Sequence, residues 1–183
     1  MYHDADKFII LGIPSDVCYH KHLMYNVGIM EARGEIVCFC DSDAIYKSTF
    51  VASILNQFTY NPHIVLYLDQ VRNNNRAFYP FNFPPLATVL ADRESRNWRN
   101  GSTHGLIEPA DTLHTRNYGA CVSALKEDLL KIGGADEHFD YLGYICGPHD
   151  MGFRLVNSGC REVWHPSEFT YHTWHPSAGG ATK

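Results

Sequence analysis

The chain has 183 residues, of which 45% are hydrophobic and 19% charged, with a formal net charge of -5. That is the balance of one soluble globular domain with a sizeable core. It excludes a nucleic-acid footprint, because Lys and Arg form no basic cluster, and no apolar run approaches the roughly 20 residues of a membrane helix.

The chain is taken from its start. No leader is visible, and the expected location is the cytoplasm, or the inner face of the membrane. "KFIIL", residues 7 to 11, reads as a short buried strand stopped by Gly12 and Pro14. Leu23, Val27, Met30 and Ala32 are spaced for one apolar helix face between His22 and Arg33, with Gly34 as the stop. "EIVCFC" is apolar on both faces, as a central strand of a parallel sheet should be. Ser48 can cap a helix carrying Phe50, Val51, Ile54, Leu55 and Phe58. "HIVLYLDQV", 63 to 71, reads as another strand.

Residues 72 to 118 are rich in Asn, Pro, Arg and aromatics. They read as a long excursion with one short helix near 86 to 96, and loops of this length are usually functional. "GACVSAL" then reads as a strand feeding a helix capped by Ser123 and stopped by Gly133. "HDMGFRLVNSG" gives a further helix ended by Gly159. "REVWHP" is a short strand, and the tail from 178 looks loose. Strands alternating with helices argue one α/β domain. The six cysteines include no CxxC pair. Cys38 and Cys40 share one side of a strand and cannot be bridged to each other without distortion. Buried free thiols in a reducing compartment therefore fit better than a disulfide framework.

Asp41 and Asp43 follow the apolar strand directly. Two close carboxylates repel unless a cation or a proton intervenes, and hard oxygen ligands suit Mg²⁺ or Mn²⁺. They would lie past the end of the strand, where open α/β sheets bind ligands. The plainer reading is an Asx-turn before the helix at Ser48. His172 and His175, in "YHTWHP", are candidate ligands on an aromatic loop. His165 has a weaker case, because Trp164-His165-Pro166 can simply end a strand.

"NVGIMEARGEIVCFCDSD" resembles the stretch of family 2 glycosyltransferases that reads N-x-G-x-x-x-A-x-G-E, an apolar strand and D-x-D, through Asn26, Gly28, Ala32, Gly34 and Glu35. "GGADEHF", with Gly133, Gly134, Asp136, Glu137 and Phe139, is similar to the family's acceptor-side segment. "DMGFRLVNSG" resembles its following helix through Asp150, Arg154 and Gly159. The resemblance covers roughly residues 20 to 60 and 115 to 165. It implies a single, partial GT-A (nucleotide-diphospho-sugar transferase) domain over 1–183, with a mostly parallel central sheet flanked by helices.

The resemblance further implies an inverting transferase. It would use Mn²⁺ or Mg²⁺ to move a sugar from a UDP- or GDP-sugar to a hydroxyl of a glycan or other acceptor. Asp43 is its better candidate for direct metal coordination. Asp41 would coordinate or reach the ribose, Asn26 would lie at the cofactor site, and His172 or His175 would add a further ligand. One carboxylate would take the acceptor's proton. The family's Glu-Asp pair is replaced by Gly147-Pro148-His149-Asp150, so Asp150 is the first candidate base and Asp136 the second. Asp150 reads equally as the N-cap of its own helix, Asp136 as closing a turn, and Arg154 as an internal ion-pair partner. Tyr79, Phe81, Phe83, Trp98 and Trp174 are candidate stacking surfaces for sugars. Arg93, Arg96 and Arg99 are candidate contacts for the diphosphate or an anionic acceptor.

The family's first strand is absent, so the fold reads as N-terminally truncated, and a homodimer would cover the exposed edge. Two rival readings remain: a non-catalytic GT-A-like module that binds a nucleotide sugar or glycan, and a metal-dependent phosphohydrolase.

Overall fold

A computed structural model of the chain describes residues 5–14, 16, 20–79, 84–97, 118–138 and 147–176. Cys18, Phe81, Phe83, Trp98, Arg99, Phe139, Cys146 and the tail from 178 lie outside the described residues. Helix α1 (Lys21–Glu31) leads to strands β1 (Ile36–Cys40) and β2 (Ala44–Ile45), then α2 (Phe50–Tyr60) and β3 (Ile64–Asn73). A 3₁₀ turn (Arg76–Phe78), α3 (Leu86–Ala91) and β4 (Ser95–Asn97) occupy the described part of the excursion. Strand β5 (Cys121–Leu125) runs directly into α4 (Lys126–Lys131), and α5 (Gly147–Asn157) precedes β6 (Arg161–Thr173).

The strands form one sheet in the order β1-β5-β3-β6-β2, with β4 pairing β3 off that path. The expected α/β class holds, with a correction to the sheet. Only β3 and β6 pair parallel; the β1–β5, β2–β6, β3–β4 and β3–β5 pairings are antiparallel. The cause is β5. Strands β1 and β3 run the same way across the α2 crossover, but β5 starts opposite the end of β1 and slots between them in reverse. β1 is therefore not the central strand that its apolar run suggests, and Cys38 and Cys40 are exposed rather than buried.

Other expectations shift for local reasons. "KFIIL" forms no strand, and Phe8 and Ile10 are exposed. β1's one ladder neighbour among the described residues is β5. Ser48 does not cap α2: Thr49 stands at the N-cap, and its hydroxyl donates instead to Glu168 at 2.9 Å. Ser123 does not cap α4 but lies fully buried in mid-β5. The ladder outruns it, because the Lys126 N–H still donates to the Glu35 carbonyl at 2.7 Å. The Lys126 ammonium then reaches the last carbonyls of α1, Met30 at 3.2 Å and Ala32 at 2.7 Å, a cation placed at the negative end of a helix.

Helices cover both faces. Ile54 and Phe58 of α2 pack on Ile64, Leu66, Leu68 and Cys121. On the other face Ile29, Leu129, Met151 and Leu155 from α1, α4 and α5 meet Val37, Val65, Tyr67, Val122 and Ala124. A smaller cluster joins Val71, Phe169 and Tyr171 to Leu86 and Leu90 of α3. β3 is buried along almost its whole length, and each of its buried aliphatic side chains, Ile64, Val65, Leu66, Leu68 and Val71, contributes about 1.5–3 kcal/mol. No helix among the described residues is long and apolar enough to cross a membrane.

Strand β6 does not stop at Pro166. It bulges and resumes. Tyr67 pairs with Trp164 and Asp69 with Phe169, so residues 165–168 lie opposite Leu68 alone. That surplus is odd, and an odd slip turns the following side chains to the other face. His172 therefore sits in the ladder, opposite Arg72 and Ala44, rather than on a loop.

His165 closes this bulge. Its Nδ1 accepts the Ser167 and Glu168 N–H groups at 3.2 and 2.9 Å. Burial holds its imidazole below the ordinary value of 6.5. Protonation would set an N–H against two donors. The unfolded chain thus takes up this proton at a higher pH than the folded one. Stability is complete above about pH 6.5 and falls as pH drops towards the lowered folded value. Urea unfolding between about pH 7.5 and 5 should show that slope, and His165→Asn, whose Oδ1 can accept the same N–H groups, should flatten it. An equal slope in both proteins would remove His165 as its source.

Candidate metal centre

β1 ends at Cys40, and the turn Asp41-Ser42-Asp43 leads straight into β2, whose Ala44 pairs with His172 of β6. The hairpin-like return delivers Asp43 beside His172, and His175 follows two residues after β6 ends. Asp43 Oδ2 lies 3.2 Å from His172 Nε2 and 3.0 Å from His175 Nε2, and the two imidazole nitrogens are 3.1 Å apart. His175 Nδ1 lies 3.1 Å from the Pro176 carbonyl. A carbonyl only accepts, so Nδ1 carries the proton and Nε2 of the neutral ring has a lone pair.

His172 Nε2 thus carries the one proton among the three atoms and faces the lone pairs of Asp43 Oδ2 and His175 Nε2; it would give that proton up to a metal ion. Its N–H holds the Asp43 carboxyl below the usual carboxylate range against partial burial. The edge between His175 Nε2 and Asp43 Oδ2 has no proton of its own. Asp43 Oδ1 is buried and has no hydrogen-bond partner among the described residues. The donor set fits a divalent ion. Neighbouring ligands of an octahedral ion at about 2.1 Å stand about 3.0 Å apart, close to the separations here. Two histidines and one carboxylate on one face of such an ion form a recurrent metal triad. The contact from Nδ1 to a carbonyl is the usual way of orienting a ligating imidazole.

Asp41 stands apart from this group. Its Oδ1 accepts from Lys21 at 3.1 Å, and its backbone carbonyl accepts the Tyr46 hydroxyl at 3.0 Å. Burial opposes the charge on Lys21, but Tyr25 and Asp41 outweigh it and hold the ammonium above the usual lysine range. Each carboxylate of the DSD turn thus has its own cationic or hydrogen-bonding partner. A cavity of about 250 Å³ opens beside the histidines, lined by Arg72, Asn73, Asn74, His172, Trp174 and His175. Arg76 stacks over Trp174 at 4.9 Å, and Tyr79 meets the same ring edge-on at 5.6 Å. Sequence reasoning missed Arg72, which carries no local motif. Arg96 is its ladder partner on β4.

The second group of predicted residues lies together elsewhere. Asn26 is a clip. Its Nδ2 donates to the Ala135 carbonyl at 2.8 Å and to Glu137 Oε1 at 2.7 Å, while its Oδ1 accepts the Ala135 N–H at 2.7 Å. It joins α1 to the Gly133–Glu137 turn, and these contacts use its amide. Asp136 Oδ1 accepts the His138 N–H at 2.9 Å, closing the turn. Asn26, Asp136, Glu137 and Arg154 line an open cavity of about 440 Å³. Asp150 lies inside the first turn of α5, not at its N-cap. Arg154 donates to Asp150 Oδ2 from Nε at 3.0 Å and also reaches the Ile132 carbonyl at 2.7 Å. No family model matches the chain, and no curated protein matches it.

Proposed function

We propose that the chain is a metal-dependent inverting glycosyltransferase of the GT-A type, moving a sugar from a nucleotide-diphospho-sugar to an acceptor hydroxyl. The observation that carries this reading is the convergence of Asp43, His172 and His175, at separations suited to an octahedral ion, on the rim of the Arg72-lined cavity. Two imidazoles beside one carboxylate favour Mn²⁺ over Mg²⁺. Such an ion, when bound, neutralises charge on a leaving nucleoside diphosphate. Arg72 offers a planar fork of donors suited to phosphate oxygens. The Trp174 ring, with Tyr79 and Arg76 around it, offers an aromatic surface against which a sugar's C–H face can pack. Of the two candidate bases, Asp136 lines an open cavity while one of its oxygens accepts the His138 N–H, and Asp150 is engaged by Arg154.

That engagement of Asp150 also favours a second reading, a module that binds the nucleotide sugar without turnover. Calorimetric titration with UDP, GDP and their sugars, with and without Mn²⁺, tests both. Mn²⁺-dependent binding of one nucleotide, with transfer to an added acceptor, is the expected result. Binding without transfer would leave the second reading. Absence of nucleotide binding, or phosphate release from simple phosphoesters without any acceptor, would overturn the proposal.

A further inference from the structure

A second cluster lies on β1 and β5. Cys38 stands opposite Ser123 and Cys40 opposite Cys121 in the antiparallel ladder. Residues two apart share a strand face, so these four side chains form a rectangle on one side of the sheet. The three sulfurs are mutually close: 3.4 Å between Cys38 and Cys40, 3.5 Å between Cys40 and Cys121, and 3.6 Å between Cys38 and Cys121. All three are free thiols. A thiol is a weak donor and a weak acceptor, so three of them turned on one another gain little as hydrogen-bonding groups. Sulfurs around a tetrahedral ion at about 2.3 Å stand about 3.8 Å apart. The triangle needs to open by only a few tenths of an ångström.

We propose that Cys38, Cys40 and Cys121 form a trithiolate site for one soft d¹⁰ cation, Zn²⁺ or Cu⁺. Thiolates select these ions, and the set is distinct in chemistry from the Asp–His–His centre. Cys121 is fully buried, while Cys38 and Cys40 are exposed and give an ion its way in. The Ser123 hydroxyl is fully buried with no hydrogen-bond partner among the described residues. It can donate to Cys38 once that sulfur is an anion. Binding releases up to three thiol protons to solvent and changes no oxidation state.

The test is titration of the reduced full chain with Co²⁺, as a spectroscopic stand-in for Zn²⁺, and separately with Cu⁺ against a competing chelator. One equivalent of Co²⁺ should give a sulfur-to-cobalt charge-transfer band with the visible bands of a tetrahedral ion. The band should disappear in Cys38→Ser and Cys121→Ser, and persist in Asp43→Asn and Cys160→Ser. Cys40→Ser, at an exposed position, keeps the test valid if Cys121→Ser fails to fold. Displacement by Zn²⁺ assigns the divalent ion; uptake of Cu⁺ alone, lost in the same variants, assigns the monovalent one. No thiolate band with either probe overturns the proposal. So does a band that survives Cys38→Ser/Cys40→Ser, or a Cys40–Cys121 disulfide in air from a protein that takes up no metal once reduced.

Discussion

Asp43→Asn is expected to lower Mn²⁺ affinity, and any metal-dependent nucleotide binding with it, by about 1000-fold, the equivalent of about 4 kcal/mol. The substitution keeps the shape of the side chain but removes the charge, and the carboxylate is the one anionic donor in a set whose other members are neutral imidazoles. His172→Asn should lose a comparable share, since it removes one of the three converging donor atoms. Asp41→Asn is the internal comparison. Its carboxylate pairs with Lys21 and stands outside the triad, so it should weaken metal binding much less. Manganese titration followed by electron paramagnetic resonance reads all three directly. Equal losses for Asp41→Asn and Asp43→Asn would mean that the DSD turn binds the ion as a unit, and the triad geometry described above would be wrong.

Gly134→Ala is expected to cost about 4 kcal/mol of stability, or roughly 10 °C in Tm for a domain of this size. Two effects add. The residue has φ +72°, a left-handed conformation that costs an alanine about 1–2 kcal/mol. A Cβ there would also lie 2.2 Å from Asn26 Oδ1 and 3.0 Å from its Cγ. Asn26 must then leave, and the Ala135 N–H and carbonyl lose its amide, at about 1–3 kcal/mol for each group left unsatisfied. Gly133→Ala separates the two effects. It has φ +77° but nothing within 4 Å of a built Cβ, so it should cost only about 1–2 kcal/mol. Asn26→Ala should cost most of the difference, and in the double variant with Gly134→Ala the losses should not add. Equal destabilisation by Gly133→Ala and Gly134→Ala in urea unfolding would show that the clip contributes nothing beyond backbone strain.

That clip shows where reading the sequence reached its limit. Asn26 and the Gly-Gly-x-Asp-Glu segment drew attention through their residue types, yet nothing local connects positions more than 100 residues apart. Their hydrogen bonds turn a residue expected at the cofactor site into a joint between α1 and the turn after α4. The cysteines behave in the same way. The spacing of Cys38 and Cys40 places them on one face, but only the ladder brings Cys121 against them.

The order of amino acids by itself determined which segments are helices and which are strands in α1, α2, β3, β5 and α5, because a helix writes its 3.6 period, and a strand buried on both faces its short apolar run, into neighbouring residues. It also marked Asp43, His172 and His175 by chemical type as candidate metal ligands. Tertiary structure alone decided that β5 runs in reverse between β1 and β3. A strand buried on both faces buries the same side chains whichever way its neighbour points, so the sheet's direction left no local trace. It also decided that the bulge at residues 165–168 turns His172 towards Asp43. Read locally, Pro166 ends a strand. The pairing of Asp69 with Phe169 resumes the ladder beyond it, through hydrogen bonds to a strand about 100 residues earlier.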